Sequence, residues 1–214
     1  MEILKNLVDF ILHIDKHLFE IVKEYDTWAY LILFAIVFCE TGLVVTPLLP
    51  GDSLLFAAGT IAAGAGHPLN IYFLIPLLFV AVFGGDNTNY FIGNYLGPKV
   101  FEKNYRFLKK EYLIQTEEFY KKHGGKAVII ARFVPIIRTF APFVAGVGSM
   151  TYKNFIGYSI FGSLLWINIC LWAGYFFGQF DFIQKHFSLV TLAIIAISVL
   201  PMVVGFINHK MKKG

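Results

Sequence analysis

Beyond residue 27 the chain alternates five long apolar stretches with polar segments, and the stretches are not alike. Three of them, 71–97, 154–180 and 188–208, are long enough to cross a hydrocarbon core that needs about 20 helical residues. Two of these spans carry no acidic or basic residue over Phe155–Phe180 and Ser188–Asn208, whereas the first contains Asp86 followed by Asn87 and Asn89. A span with such a polar stretch must turn it toward protein or water. The other two stretches are broken. Residues 28–66 are cut by Pro47, Pro50 and Gly51, and residues 127–150 by Pro135 and Pro142, where helical hydrogen bonding is interrupted. The second arm of the first stretch, from Ser53 to about Gly66, and both arms of the second are too short to cross alone, and the pattern predicts re-entrant hairpins whose irregular backbone is buried in protein or lines a wet cavity. Residues 1–27 differ again. Leu4, Leu7, Val8, Ile11, Ile14, Leu18, Ile21, Val22 and Tyr25 recur at helical spacing opposite an acidic face, which predicts an amphipathic helix lying on the membrane or on the protein. Its charges exclude the unbroken apolar core of a signal peptide.

A weak internal repeat runs through this pattern. Each half offers a proline-broken stretch ending in Ala and Gly (AAG at 57–59, AGVG at 145–148), then an aromatic span closing on a Gly-x-x-x-Gly pair (Gly93 and Gly97; Gly174 and Gly178). Halves of this kind are a transporter architecture whose site lies where the broken helices meet, although Gly-x-x-x-Gly also marks close helix packing. The linker 99–126 holds eight Lys or Arg against four Glu, and the tail 209–214 is basic, so both are expected on the cytoplasmic side. Cysteines placed at Lys110 or Lys212 are therefore expected to resist labelling from outside intact cells. The first half admits two topologies. If 28–66 is a hairpin, the N-terminal helix, with three Lys against six Asp and Glu, lies outside. If Trp28–Thr46 crosses fully, it lies inside. The hairpin makes the two halves inverted repeats and is the preferred reading.

Composition agrees with a lipid solvent: 57% of the 214 residues are hydrophobic and 15% charged, against about 25% charged in a soluble domain. The net charge of +4 is too small to argue for nucleic acid. Cys39 and Cys170 sit inside apolar stretches with no second thiol nearby, which predicts buried apolar roles rather than a disulfide or a metal site. His123, in KKHGGK, is expected to be solvated in a turn, with Gly124 and Gly125 ending the linker helix. No HExxH, GxSxG or P-loop is present, so neither an enzyme nor a cofactor or metal is expected.

The charges on the broken stretches carry the functional reading. The first holds Glu40 and Asp52, the second Arg132 and Arg138. Each intramembrane charge opposes insertion by about 2.5–3.5 kcal/mol, so the acidic and basic stretches are expected to meet. An arginine in a broken helix suits a phosphate, because its planar fork donates two parallel hydrogen bonds and stays charged. Glu40 and Asp52 are candidate proton carriers, with burial and the arginines pulling their protonation in opposite directions. Asp86, Asn89, Pro47, Pro50, Gly51, Pro135, Pro142 and Gly146 are expected to serve as supporting polar or hinge positions.

The strings FCETGLVVTPLLPGDSLLFAAG, YKKHGGKAVIIARFVPIIRTFAPFVAGVGSM and AGYFFG closely resemble the bacterial DedA family over nearly the whole chain. Its signature is met by Glu40, by Pro50, Gly51 and Asp52, and by Arg132, Pro135, Arg138, Pro142, Ala145 and Gly146. The resemblance implies two opposed re-entrant hairpins in the inner membrane. It also implies a lipid flippase or scramblase, relatives being described as recyclers of undecaprenyl phosphate or movers of phosphatidylethanolamine. Dependence on the proton motive force, with Glu40, Asp52, Arg132 and Arg138 essential, is implied as well.

The expected protein is thus an all-α polytopic membrane protein with an inverted repeat of two re-entrant hairpins, about three full spans and an amphipathic N-terminal helix. The expected function is movement of a phospholipid or polyprenyl phosphate headgroup, coupled to protons. The alternatives are a proton-coupled antiporter of a small ion and a non-transporting scaffold in which the charges are purely structural.

Overall fold

A computed structural model describes residues 22, 24, 25, 27–43, 51–64, 69–97, 110–186, 189, 190, 192 and 193. Among them the fold is helical, with no strand. The order is α1 (Trp28–Gly42), α2 (Gly51–Ala63), α3 (Ile71–Leu96), α4 (Lys110–His123), α5 (Ala127–Ala131), α6 (Pro135–Val144), α7 (Tyr152–Phe177) and α8 (Asp181–Lys185). The amphipathic helix expected over 1–27 lies outside the described residues apart from isolated positions, as does the span at 188–208. So do Pro47, Pro50, all of 99–109 and the tail 209–214.

Two helices, α3 and α7, are 26 residues long and apolar enough to cross a membrane. Only 39% and 33% of their most apolar stretches are buried, and Tyr72, Val80, Phe91, Phe161, Ile169 and Phe176 point outward. An apolar outer face of this extent is what lipid, rather than water, accommodates. The other helices are shorter. α1 has 15 residues and α2 has 13, each below the roughly 20 that a crossing needs.

The chain divides into two compact units. The first takes the described residues of 1–35, 48–79 and 167–197. Here α2 lies backbone to backbone on the second half of α7: a Cβ on Gly59 would fall on the Leu171 carbonyl, and one on Gly174 on the Phe56 carbonyl. Thr60 Oγ1 reinforces the crossing by donating to Gly174 O at 3.2 Å.

The second unit takes the described residues of 36–47 and 80–166. A Cβ on Gly93 would fall on the Phe143 carbonyl, and one on Gly146 on the Tyr90 carbonyl. The same device therefore occurs in each unit: a Phe-x-x-Gly segment (56–59, 143–146) crosses a long helix at two positions three residues apart. Gly97 departs from the packing role expected of Gly-x-x-x-Gly. No described residue lies within 4 Å of a Cβ built there, its φ is +62° and its N–H bonds to Gly93 O at 2.9 Å, so it terminates α3 in the left-handed conformation glycine favours.

The second broken stretch is positioned by its own sequence. Gly124, at φ +59°, ends α4 as expected. After α5 the N–H groups of Arg132, Phe133 and Val134 bond to carbonyls three residues back, at 3.2, 3.1 and 3.0 Å. Val134 is extended (φ −124°, ψ 103°) and Pro135 opens α6. A proline disfavours helix in the residue before it and fits the first helical position, so the break falls at 132–134. Beyond α6 the backbone widens over Ala145–Ser149, where Gly148 takes a non-helical φ of +139°. Around it packs a core of Tyr90, Tyr120, Val128, Phe140, Phe143 and Phe155.

The cysteines differ from expectation. Cys39 is exposed and Cys170 half-buried, because an apolar stretch in lipid turns some of its apolar residues outward.

A candidate site of two buried ion pairs

The functional side chains of the second unit converge from five segments. The last turn of α1 carries Glu40, α3 carries Asp86 and Asn89, and the break after α5 carries Arg132. Arg138 and Thr139 come from α6, and Ser159, Ser163 and Trp166 from α7. Gly85 lets α1 approach α3 closely, since a Cβ there would strike Thr41 and Gly42.

Two salt bridges result. Arg138 Nη2 donates to Glu40 Oε1, and Arg132 Nη2 donates to Asp86 Oδ2. All four residues are buried: Glu40 is 4% exposed, Arg138 9%, Asp86 1% and Arg132 3%. Two cations and two anions cancel formally, which is how such charges are carried in an apolar interior. The Arg138 guanidinium also lies over the Trp166 ring, 4.9 Å from its centre, a cation–π contact. The Asp86 pair has a hydroxyl shell. Ser159 Oγ donates to Asp86 Oδ2 at 2.5 Å, Arg132 Nη2 donates to Ser163 Oγ at 2.9 Å, and Ser163 Oγ donates to Ser159 O at 2.6 Å.

Asn89, fully buried, ties these segments together. Its Nδ2 donates to Thr41 O at 3.2 Å and to Thr139 O at 2.8 Å, the peptides beside Glu40 and Arg138. Tyr120 on α4 donates to Ala141 O at 2.9 Å. Burial pushes its phenol well above the usual range, so it remains a donor.

The acidic and basic broken stretches thus meet at Glu40 and Arg138. The expectation differs from the structure at Arg132, whose carboxylate comes from α3. Asp86, read from sequence as a supporting polar residue, is a full ion-pair partner. Asp52 stands in the first unit, half-buried in the first turn of α2, which Gly51 opens. Pro142 lies inside α6, and Gly146 belongs to the crossing with α3. Ser159, Ser163 and Trp166 escaped sequence reading. With Phe155 they form one buried face of α7 at helical spacing, a signal that a search for polar residues along one face of the span would have found.

A helical membrane protein that buries two arginine–carboxylate pairs among its helices is the class this fold and site define. Residues 49–176 match the VTT domain family. The chain is 51% identical over 211 residues to Protein DedA of Escherichia coli (strain K12), covering 98% of this chain and 96% of that protein. It is 44% identical over 174 residues to an uncharacterized membrane protein of Mycobacterium tuberculosis (strain H37Rv), covering 81% and 76%. The inner membrane protein YqjA of E. coli K12 is 33% identical over 179 residues, covering 82% and 80%. No solved structure gives a significant match. The chain belongs to the DedA family of VTT-domain membrane proteins.

Proposed function

We propose that the protein moves the phosphate headgroup of a membrane lipid, a phospholipid or undecaprenyl phosphate, across the bacterial inner membrane, and that protons drive the movement. The observation that supports this reading is the pair of buried arginines on a broken helical segment, each held by a carboxylate. Packed apolar residues would join the same helices without desolvating four charges. In this reading the carboxylates hold the arginines until a phosphate replaces them. A proton on Glu40 weakens its hold on Arg138 and frees the guanidinium, and Asp52 is the second proton carrier. The stretches 28–66 and 127–150 then act as opposed re-entrant hairpins, with the basic linker and tail cytoplasmic.

The test is flipping of labelled lipids in proteoliposomes under an imposed pH gradient. Arg132→Lys and Arg138→Lys keep the charge and lose the planar fork. Loss or misalignment of a charge-assisted bond worth about 1.5–3 kcal/mol is expected to slow flipping at least tenfold. Glu40→Gln and Asp52→Asn, nearly isosteric but unable to carry a proton, are each expected to abolish gradient-driven flipping in folded protein. Wild-type rates in both lysine variants would remove the phosphate grip. Proton exchange with a small ion, without lipid movement, would favour an antiporter.

A further inference from the structure

We propose that Asp86 stands in for a ligand oxygen. Arg132 and Ser159, oriented by Ser163, then form an anion site that this carboxylate fills until a phosphate displaces it. The inference deepens the headgroup reading above and rests on it for its physiological ligand.

Asp86 Oδ2 receives Arg132 Nη2 from the break after α5 and Ser159 Oγ, at 2.5 Å, from α7. Two donors from separate segments converging on one oxygen are what an anionic ligand requires, and a charged donor with a hydroxyl is a strong combination. Ser163 does a different job. It accepts from Arg132 Nη2 at 2.9 Å and spends its own proton on Ser159 O at 2.6 Å, so it aims the guanidinium and leaves Ser159 as the hydroxyl donor. The approach of α7 is arranged for this. Gly162 meets the backbone of α5 directly, a Cβ there lying 3.2 Å from Ile129 Cα.

Glu40 and Arg138 meet beside Trp166, whose ring covers a face of the guanidinium. Arg132 instead opens the irregular turn at 132–134, where its neighbour Phe133 is 42% exposed. The side chain points inward from a turn at the surface of its unit, so displacing that short turn opens the site without unwinding a helix. The chemistry selects a phosphate monoester or diester, whose oxygens accept the donors now spent on Asp86 Oδ2. A lipid headgroup and free phosphate share that chemistry.

The test is ligand-dependent thermal stabilisation of the purified full chain in detergent. The probes are inorganic phosphate and water-soluble dihexanoyl phosphatidic acid, each against chloride at equal ionic strength. Ser159→Ala is expected to weaken apparent phosphate affinity by about tenfold, as loss of one bond to a charged group implies, and Ser159→Thr to restore it. Asp86→Asn keeps the shape and removes the competing anion, and is expected to bind the same probes more tightly than wild type. Stabilisation by the short lipid alone supports a headgroup site, and by both probes a site for phosphate itself. Wild-type affinity in Ser159→Ala, or no gain in Asp86→Asn, overturns the proposal. If Asp86→Asn does not fold, the two serine variants decide. Binding as expected in a protein that flips no lipid would overturn the transport reading and leave this site standing.

Discussion

Arg132→Leu is expected to destabilise the folded protein by about 3–5 kcal/mol, whereas Arg132→Leu with Asp86→Leu is expected to recover most of that loss and still flip no lipid. The single variant leaves the Asp86 carboxylate 1% exposed with its guanidinium gone, and one hydroxyl from Ser159 does not solvate an isolated charge in an apolar interior. The double variant removes both charges and fills the space with apolar side chains, a replacement that is often neutral or stabilising by about 1–4 kcal/mol. The serines left behind are not stranded. Ser163 Oγ already donates to Ser159 O, and the Ser159 hydroxyl can turn to the carbonyl four residues back on α7. Unfolding in detergent and flipping in proteoliposomes read the two effects separately. A double variant that is stable and transports normally would establish the pair as a scaffold. A single variant as stable as wild type would contradict the burial of the pair.

What the sequence made legible follows from what each signal depends on. The spans α3 and α7 are set by length and apolarity alone, and both were readable. The break at 132–134 was readable too, because Pro135 acts on its immediate neighbours. Pairing was a different matter. Grouping the charges by stretch set Glu40 and Asp52 against Arg132 and Arg138, but partners are chosen by packing, and Gly162 brings α7 close enough to surround the Arg132–Asp86 pair with serines. Those serines carry no charge and sit in a span read only for its apolarity. Gly93 and Gly97 have the same letters and opposite roles, since one meets a backbone carbonyl and the other ends the helix at φ +62°. A spacing rule cannot separate packing from capping. Cys39 illustrates the same limit: in lipid, apolar character no longer indicates which face is inside.

Glycine substitutions separate these roles by sign. Gly93→Ala and Gly146→Ala are each expected to destabilise the protein toward the upper end of the roughly 1–3 kcal/mol typical of overpacking, or beyond it. The added methyl group meets the Phe143 or Tyr90 carbonyl, and backbone in a packed crossing cannot rotate away as a flexible side chain can. Gly59→Ala and Gly174→Ala, against Leu171 and Phe56 in the first unit, are expected to cause losses of similar size, because the same Phe-x-x-Gly device makes both crossings. Gly157→Ala is the control. This residue is exposed on α7 with nothing within 4 Å of a new Cβ, so alanine is expected to raise stability by about 0.5–1 kcal/mol through its better helix propensity. Thermal unfolding of the five variants in one detergent measures all of this. If Gly146→Ala proves as stable as Gly157→Ala, the backbone crossing is not a feature of the folded protein. If the first-unit variants are harmless while Gly93→Ala and Gly146→Ala are not, the two crossings are not equivalent, and the internal repeat loses the packing that supports it.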